Sequence, residues 1–529
     1  MSKGKSDKIT YKPYEQHQLH LLPPSVDELV PQEHLVRLVS TVIDEMGIER
    51  LLRKYQVGGG ASRYHPVMMT KLFVYGYMTK VCSSRMLAKA ARENVLFMWL
   101  SGAQKPDFRT LNDFRKKLLK GVMEEIFVTA VKMLASKGYI KLENYFVDGT
   151  KIESAAGRYT FVWKKAVEKN DKRLDAKLRA YIGMAEQIWD DENSDYGNQD
   201  LEELGGKEKF TSADVKALAG ILRERIEQLE TAEDKKKLTK DLKTIEAEYL
   251  PRKKKYEEAK RICGKRNSYS KTDKDATFMR MKDDHMKTGQ LKPGYNIQIG
   301  SENGFVVGYD IFSSPTDTNT LKPHLKRQEK RLGVRPKIAI ADAGYGSEEN
   351  YLYLERRGIV AVVKYTTYRK EKSRKWREDI FRSENWEYNK EEKCYICPNG
   401  RKLTLKETEK RKTSTGYERT IDRYECESCA YCRLKEQCTK SLGSRKVDRN
   451  ERLIRLKAKA RQTLEDEQYE ALRKLRSVEV ETVFGQIKGN QGYRRFLLRG
   501  TAEVSTEWGL LALGYNLKQL YRAQQEQTM

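Results

Sequence analysis

The hydrophobic pattern of this chain changes period repeatedly, and those changes constrain its fold more than any other feature. Up to about residue 140, apolar residues recur at helical spacing. At NYFVDGTKIES (144–154), Tyr145, Phe146 and Val147 form a strand run that Asp148-Gly149 is expected to end. Roughly 164–262 is charged and helix-patterned, and from 290 the strand pattern returns. PGYNIQIGSENGFVVGYDIFSS reads as a hairpin turned at 301–304. A helix (TNTLKPHLKRQEKRLG), a strand (KIAIAD), a helix (SEENYLYLERRG) and a strand (IVAVVKY) follow. That order is an α/β pattern.

The flanking regions read differently. Leu35, Leu38, Val39, Val42 and Met46 mark an amphipathic helix broken by Gly58–Gly60. HPVMMTKLFVYGYMTKV is apolar nearly all round, and Ser83 and Ser84 offer a cap to the next helix. A last long helical stretch closes at Gly138, so 1–140 reads as an all-helical domain with a helix–turn–helix flavour. In the charged block, Val215, Leu218 and Leu222, then Leu238, Leu242 and Ile245, predict an antiparallel hairpin or short coiled coil. Thr211 and Ser212 signal its start and Pro251 lies near its end; the acidic segment 189–210 reads as a loose connection. After a cysteine-rich stretch the chain returns to helix and ends in VSTEWGLLALGYNLKQLYRA.

At roughly 150 residues per domain, 529 residues correspond to three or four domain-sized units. The predicted division is a helical DNA-binding domain (1–140), a core in two parts (141–163 and 266–383), a helical insertion (164–265), a cysteine-rich insertion (384–448) and closing helices (449–529). The net charge of +27 fits a densely negative partner, most economically nucleic acid. No apolar run approaches the ~18 residues of a membrane span, and the opening MSKGKSDKITYKPYEQ lacks the apolar centre of a secretory signal. Membrane and secreted classes are therefore not expected.

Three acids stand where chemistry would need them. Asp148 and Asp342 each close an apolar strand run, and Glu481 lies in a helical run whose partners Val478, Phe484 and Ile487 put it near a buried face. Converging carboxylates are what divalent hard cations such as Mg²⁺ or Mn²⁺ require, and a cation pair can activate a nucleophile and stabilise a leaving oxygen at a phosphodiester. Of eight cysteines, six cluster as Cys394, Cys397, Cys426, Cys429, Cys432 and Cys438. Paired C-x2-C knuckles signal structural Zn²⁺, although six candidates exceed four ligand places. Lys488, Arg494, Arg495 and Arg499, with Tyr493 and Phe496 interleaved, read as phosphate contacts beyond the glutamate; Lys151 could meet the same strand. The six histidines form no ligand-spaced pair, Trp163 and Trp189 could stack on a flipped base or simply pack and are left unassigned, and no GxxxxGK[ST] phosphate loop occurs.

The strings FVDGTKIES, YNIQIG, IADAGYGSEE and VEVETVFGQIKGNQGYRRFLLRG resemble bacterial insertion-sequence transposases of the DDE type. The stretch from HPVMMTKLFVYGY to TLNDFRKKLL resembles the helical domain preceding the core in one subgroup, in which a helical insertion follows the first catalytic strand and a cysteine-rich segment precedes the catalytic glutamate. The resemblance implies an RNase H-like core: a mixed five-stranded sheet with flanking helices. It also implies that Asp148, Asp342 and Glu481 are the catalytic, cation-holding triad. Lys488 follows Glu481 at the family's spacing, but the family's upstream arginine is out of register: position 477 is Ser, with Arg476 and Arg473 nearest, which leaves Glu479 as a rival. Among the thiols, the resemblance favours Cys397, Cys429, Cys432 and Cys438 as zinc ligands, with Cys394 and Cys426 as alternates.

The resulting expectation is an enzyme that binds double-stranded DNA at an element's terminal inverted repeats and cuts and joins it with Mg²⁺ or Mn²⁺. It would act as a dimer or larger assembly, in the cytoplasm and at the nucleoid. The alternatives are a nuclease that never joins and a non-catalytic DNA-binding derivative.

Overall fold

The computed structural model describes residues 25–52, 64–192, 207–229, 231–281 and 289–528. The N-terminal arm, the Gly58–Gly60 break, most of the acidic segment, His17, His20, His285 and the side chain of Trp189 lie outside the described residues. The chain divides into two compact units, Met1–Leu118 and Leu119–Met529.

The first unit is helical. Its helices include Leu35–Glu45, Pro66–Met78, Ser84–Glu93 and Phe108–Phe114. Pro66 opens the second of these at a position where its missing N–H costs nothing, and that helix is buried nearly all round, as its composition requires. The Ser83 hydroxyl caps Ser84–Glu93 by accepting from Met86 N, and this helix turns Leu87, Ala88 and Ala91 inward while Arg85, Lys89 and Arg92 stay exposed.

Among the described residues, thirteen strands lie in the second unit. In chain order they are β1 (Asn144–Glu153), β2 (Phe161–Trp163), β3 (Ser268–Ser270), β4 (Thr277–Arg280), β5 (Leu291–Glu302), β6 (Phe305–Phe312) and β7 (Ile338–Ala341). They continue with β8 (Val360–Val363), β9 (Glu387–Asn389), β10 (Cys394–Ile396), β11 (Lys402–Lys412), β12 (Glu418–Cys426) and β13 (Lys446–Arg449). The main sheet is mixed, in the order β4-β5-β1-β7-β8, with β6 also on β5. β1 runs antiparallel to β5 and parallel to β7, and β7 parallel to β8. This arrangement is compatible with an RNase H-like core. It has one strand more than the five expected: short β4 pairs with 291–294 of β5, beyond the stretch that β6 takes.

Two details depart from the sequence reading. β1 does not end at Asp148-Gly149 but continues to Glu153, because Thr150 and Ile152 keep the alternation and stay in register with Ile297 and Tyr295. The helix Lys120–Ser136, read with the N-terminal domain, falls in the second unit. There it packs on β6 and the Thr501–Thr528 helix, with Phe127 edge-on to Tyr309 at 5.0 Å. The β5–β6 hairpin turns where expected. Asn303 (φ 52°) and Gly304 (φ 76°) take the left-handed conformations that a tight primed turn needs.

The charged insertion is a bundle rather than a two-helix hairpin. Lys164–Glu192, Ser212–Gln228 and a continuous run from Ala232 to Cys263 share one core containing Leu178, Ile182, Leu218, Leu222, Leu238 and Ile245. Thr211 and Asp214 form a capping box. Pro251 does not end the run: a π turn over Ile245–Tyr249 precedes it, so the hydrogen-bond ladder is already re-registered where proline withholds a donor. The cysteine-rich region is an antiparallel sheet, β13-β12-β11-β10-β9, around Tyr388, Tyr395 and Tyr424. No described helix is long and apolar enough to cross a membrane.

Candidate active site

Parallel pairing sets the site. Val147 of β1 lies opposite Ala341 of β7, so the next residues, Asp148 and Asp342, stand side by side where the two strands point the same way. Neighbouring strands are ~4.8 Å apart, which makes the two aspartates close neighbours. Asp342 caps a short turn by accepting from Gly344 N at 2.8 Å, which fixes its carboxylate at the end of β7. Asp148 is buried and accepts from Gly149 N at 2.7 Å.

The helix Glu470–Phe484 packs over β1, β5 and β7. From it, Arg476 reaches Asp148 Oδ2 at 3.8 Å and Glu481 Oε1 at 3.9 Å. Glu481 is thus brought toward Asp148 through an arginine, and its side chain remains 66% exposed. Glu479, two residues earlier on the helix, points elsewhere. It is buried and accepts from Gly304 N at 2.9 Å, and burial, followed by the charge of Glu302, raises its carboxyl above the ordinary range. Of the two glutamates, it is Glu481 that shares the Arg476 guanidinium with Asp148.

The three acids do not close into a cage. Among the described residues no group of three or more His, Cys, Asp or Glu side chains is arranged to hold a metal ion. An adjacent pair of aspartates is nevertheless the donor chemistry that Mg²⁺ or Mn²⁺ accepts, since such ions often take one or two carboxylates and complete their shell with water and substrate phosphate.

Cationic side chains flank the pair. Lys364 follows Val363, which lies opposite Ala341, so Lys364 stands beside Asp342 just past the end of β8. Burial, then Arg369, Arg476 and Arg473, lower the Lys364 pKa, while Asp342 opposes them. The Arg476 Nη1 atom is buried without a hydrogen-bond partner.

Of the residues expected to touch DNA, two also hold backbone in this structure. Arg495 donates to the Ser154 and Ala156 carbonyls at 3.0 Å each, and Arg499 donates to the Ala155 carbonyl, so both pin the segment after β1. Lys488 is buried in the π turn Gly485–Asn490. Lys151 is half-buried, and alternation turns it to the opposite face of β1 from Asp148. Arg494 is exposed. Tyr493 and Phe496 are core residues, stacked edge-on against each other at 5.9 Å.

The thiols are only partly gathered. Cys397, Cys426, Cys429, Cys432 and Cys438 line one small cavity, and burial with the neighbouring Cys429 pushes Cys426 up to about 12. Cys394 stands apart in β10, donating to Glu392. All eight cysteines are free thiols, and no three of them form a metal-holding set, so the structure does not support the Zn²⁺ expectation.

The sequence reading missed the polar layer behind the aspartates. Asn296 and Gln298, both fully buried on β5, donate to Asp317 Oδ1 at 2.8 and 2.9 Å. The Tyr345 hydroxyl donates to Gln298 Oε1. Burial, then the charges of Asp317, Asp148 and Asp342, raise the Tyr345 phenol far above its ordinary value. Two polar residues at alternate positions of the buried strand YNIQIG were the available signal.

The family model described as a transposase DDE domain matches residues 396–521, which takes in Glu481 but neither aspartate. A second, described as a transposase domain, matches 24–117, nearly the whole described part of the first unit. No curated protein and no solved structure matches the chain.

Proposed function

This chain belongs with the insertion-sequence transposases of the DDE type, and on that premise we propose that it binds the terminal inverted repeats of its element and cuts and joins DNA at Asp148, Asp342 and Glu481. The observation that carries this reading is the pair of aspartates placed side by side where the parallel pairing of β1 and β7 ends, with the Glu481 helix laid across them. We read the mixed sheet as an RNase H-like core interrupted by the helical bundle and the tyrosine-centred sheet.

Asp148 and Asp342 would hold the divalent cation that the family implies, with Glu481 joining them as Arg476 gives way. When bound, that cation supplies Lewis-acid stabilisation and lowers the cost of generating the nucleophile. The chain's own residues do the rest. Arg476 and Lys364 attract the phosphodiester to the carboxylates and offset its charge. Arg495 and Arg499 keep the exit of β1 in place, so that Asp148 does not drift. The exposed Arg85, Lys89 and Arg92 of the first unit support a role in gripping the repeats. Joining two ends requires two active sites, which supports a dimer on DNA. A DNA-acting role suits the cytoplasm and nucleoid.

The test is strand transfer with precut ends bearing a free 3′-hydroxyl. Wild-type protein with Mg²⁺ should insert them into target DNA. Asp148→Asn, Asp342→Asn and Glu481→Gln should each cut joining at least about a hundredfold, as expected when several kcal/mol of transition-state stabilisation is lost. End binding should be retained. Nicking without any insertion of precut ends would favour a nuclease, and full activity of Asp342→Asn would remove the mechanism.

A further inference from the structure

Asp317 lies outside the three acids read from the sequence, in the loop between β6 and the helix Leu321–Leu332. Its Oδ1 is a hub that receives both Asn296 Nδ2 and Gln298 Nε2, while Gln298 Nε2 also donates to Asn296 Oδ1 at 3.0 Å. The other end of the Gln298 amide accepts the Tyr345 hydroxyl, and Tyr345 belongs to the turn that Asp342 caps. Three more bonds tie the loops together: Thr318 Oγ1 donates to the Gly344 carbonyl at 2.8 Å, and Asn350 Nδ2 donates to the carbonyls of Thr318 and Tyr345.

The same hub presses on β1. A Cβ at Gly149 would lie 2.1 Å from Gln298 Nε2 and 2.7 Å from Asp317 Oδ1, so only glycine admits this layer immediately beside Asp148. Asp317 is therefore mechanically coupled to both aspartates, through Gly149 on one side and the Gly344–Tyr345 turn on the other. It also adds a negative charge to a place that already holds two, and the donors to its Oδ1 are the neutral amides of Asn296 and Gln298.

We propose that Asp317 is a positioning residue of the carboxylate pair: it locks β1 and the Asp342 turn into one geometry, and its charge strengthens the pair's hold on a divalent cation. This rests on the reading that Asp148 and Asp342 bind such an ion. Asp317→Asn separates charge from shape, because an asparagine oxygen can still accept both amide donors.

The experiment is Mn²⁺ binding to full-length protein, followed by the loss of the free-ion electron paramagnetic resonance signal, alongside thermal melts. Asp317→Asn should bind Mn²⁺ about five- to tenfold more weakly than wild type, the scale of one charge lost roughly 7 Å from a divalent ion under screening close to that of water. Its melting temperature without metal should be unchanged. Asp317→Glu, which restores the charge, should recover part of the affinity. Wild-type Mn²⁺ binding by Asp317→Asn, with binding lost in Asp342→Asn, would overturn the inference and leave the proposed site standing. Wild-type binding by Asp342→Asn as well would overturn both. Should Asp317→Asn fail to fold, Gln298→Met serves in its place: it removes the bridge between Asp317 and Tyr345 while leaving every carboxylate present, so weakened Mn²⁺ binding supports the proposal and unchanged binding overturns it.

Discussion

Asp310 shows how single residues hold the sheet that carries the site. It is buried on β6, where desolvation alone would push its pKa up. The bond to His324 Nδ1 at 2.7 Å and the charges of His324, Arg331 and Arg327 outweigh that and lower it to about 2. His324 passes the connection on to the Tyr145 hydroxyl at 3.0 Å, and the Tyr145 ring lies across Gly300 and Gly308 of β5 and β6. A folded-state pKa below the unfolded one means that the group's stabilisation is present above about pH 4 and lost as pH falls toward 2. The shift corresponds to about 2 kcal/mol. Asp310→Asn should therefore lower unfolding stability at pH 7 by about 3 kcal/mol, since it leaves Arg331 short of its buried partner. Urea denaturation across pH should show the gap to wild type closing between pH 4 and 2; a constant gap would refute this account. Asp148 and Asp342 were legible because each closes an apolar run in a string of characteristic composition. Asp317 was not, because SSPTDTN looks like any polar loop until folding sets it against Gly149. The bonds that Arg495 and Arg499 make to backbone carbonyls were illegible for a related reason: a basic run announces charge but not the carbonyl groups it will meet.

Elements were legible wherever a local rule decided them. The Ser83 cap, the Thr211 capping box and the Asn303-Gly304 turn all formed where their residues stood. The failures were tertiary. The insertion's periodicity showed amphipathic helices but not how many would share a core, and nothing local singled out Lys253 among 103 basic residues. Lys253 is 1% exposed, with Nζ 2.8 Å from Asp171 and 2.5 Å from Asp175; Lys260 completes the group at Asp171. Desolvation would lower the Lys253 pKa, but the two aspartates raise it, so the ion stays charged in the bundle. Lys253→Met strands two buried carboxylates and should destabilise the bundle by about 3–5 kcal/mol. Adding Asp171→Leu and Asp175→Leu should return most of that loss. Protease sensitivity of the 164–263 segment is the measurement, and a triple variant as labile as the single one would show that the charges serve something other than mutual neutralisation.

At the scale of the whole molecule, the net charge of +27 said that a polyanion was near without saying which unit meets it. Several basic residues of the second unit are already committed: Arg331 and Arg327 to Asp310, Arg455 and Lys459 to Glu355, Arg495 and Arg499 to backbone carbonyls. On the first unit, Arg85, Lys89 and Arg92 share the exposed face of one helix, with Phe108 beside Arg85 at 5.2 Å. If this face grips the repeat, each phosphate contact releases condensed counterions, and log K falls against log salt with a slope of about −0.9 per contact. Replacing all three by Ala should weaken end binding and make the slope shallower by about 2–3, whereas Asp342→Asn should leave it unchanged. Fluorescence anisotropy of a labelled inverted-repeat duplex from 50 to about 200 mM salt, the range over which such contacts are resolved, measures it. An unaltered slope in the triple variant would move recognition off this helix. Joining of precut ends by the same variant at low salt would then tell recognition from chemistry, because losing the grip should raise the DNA concentration needed without lowering the rate at saturation.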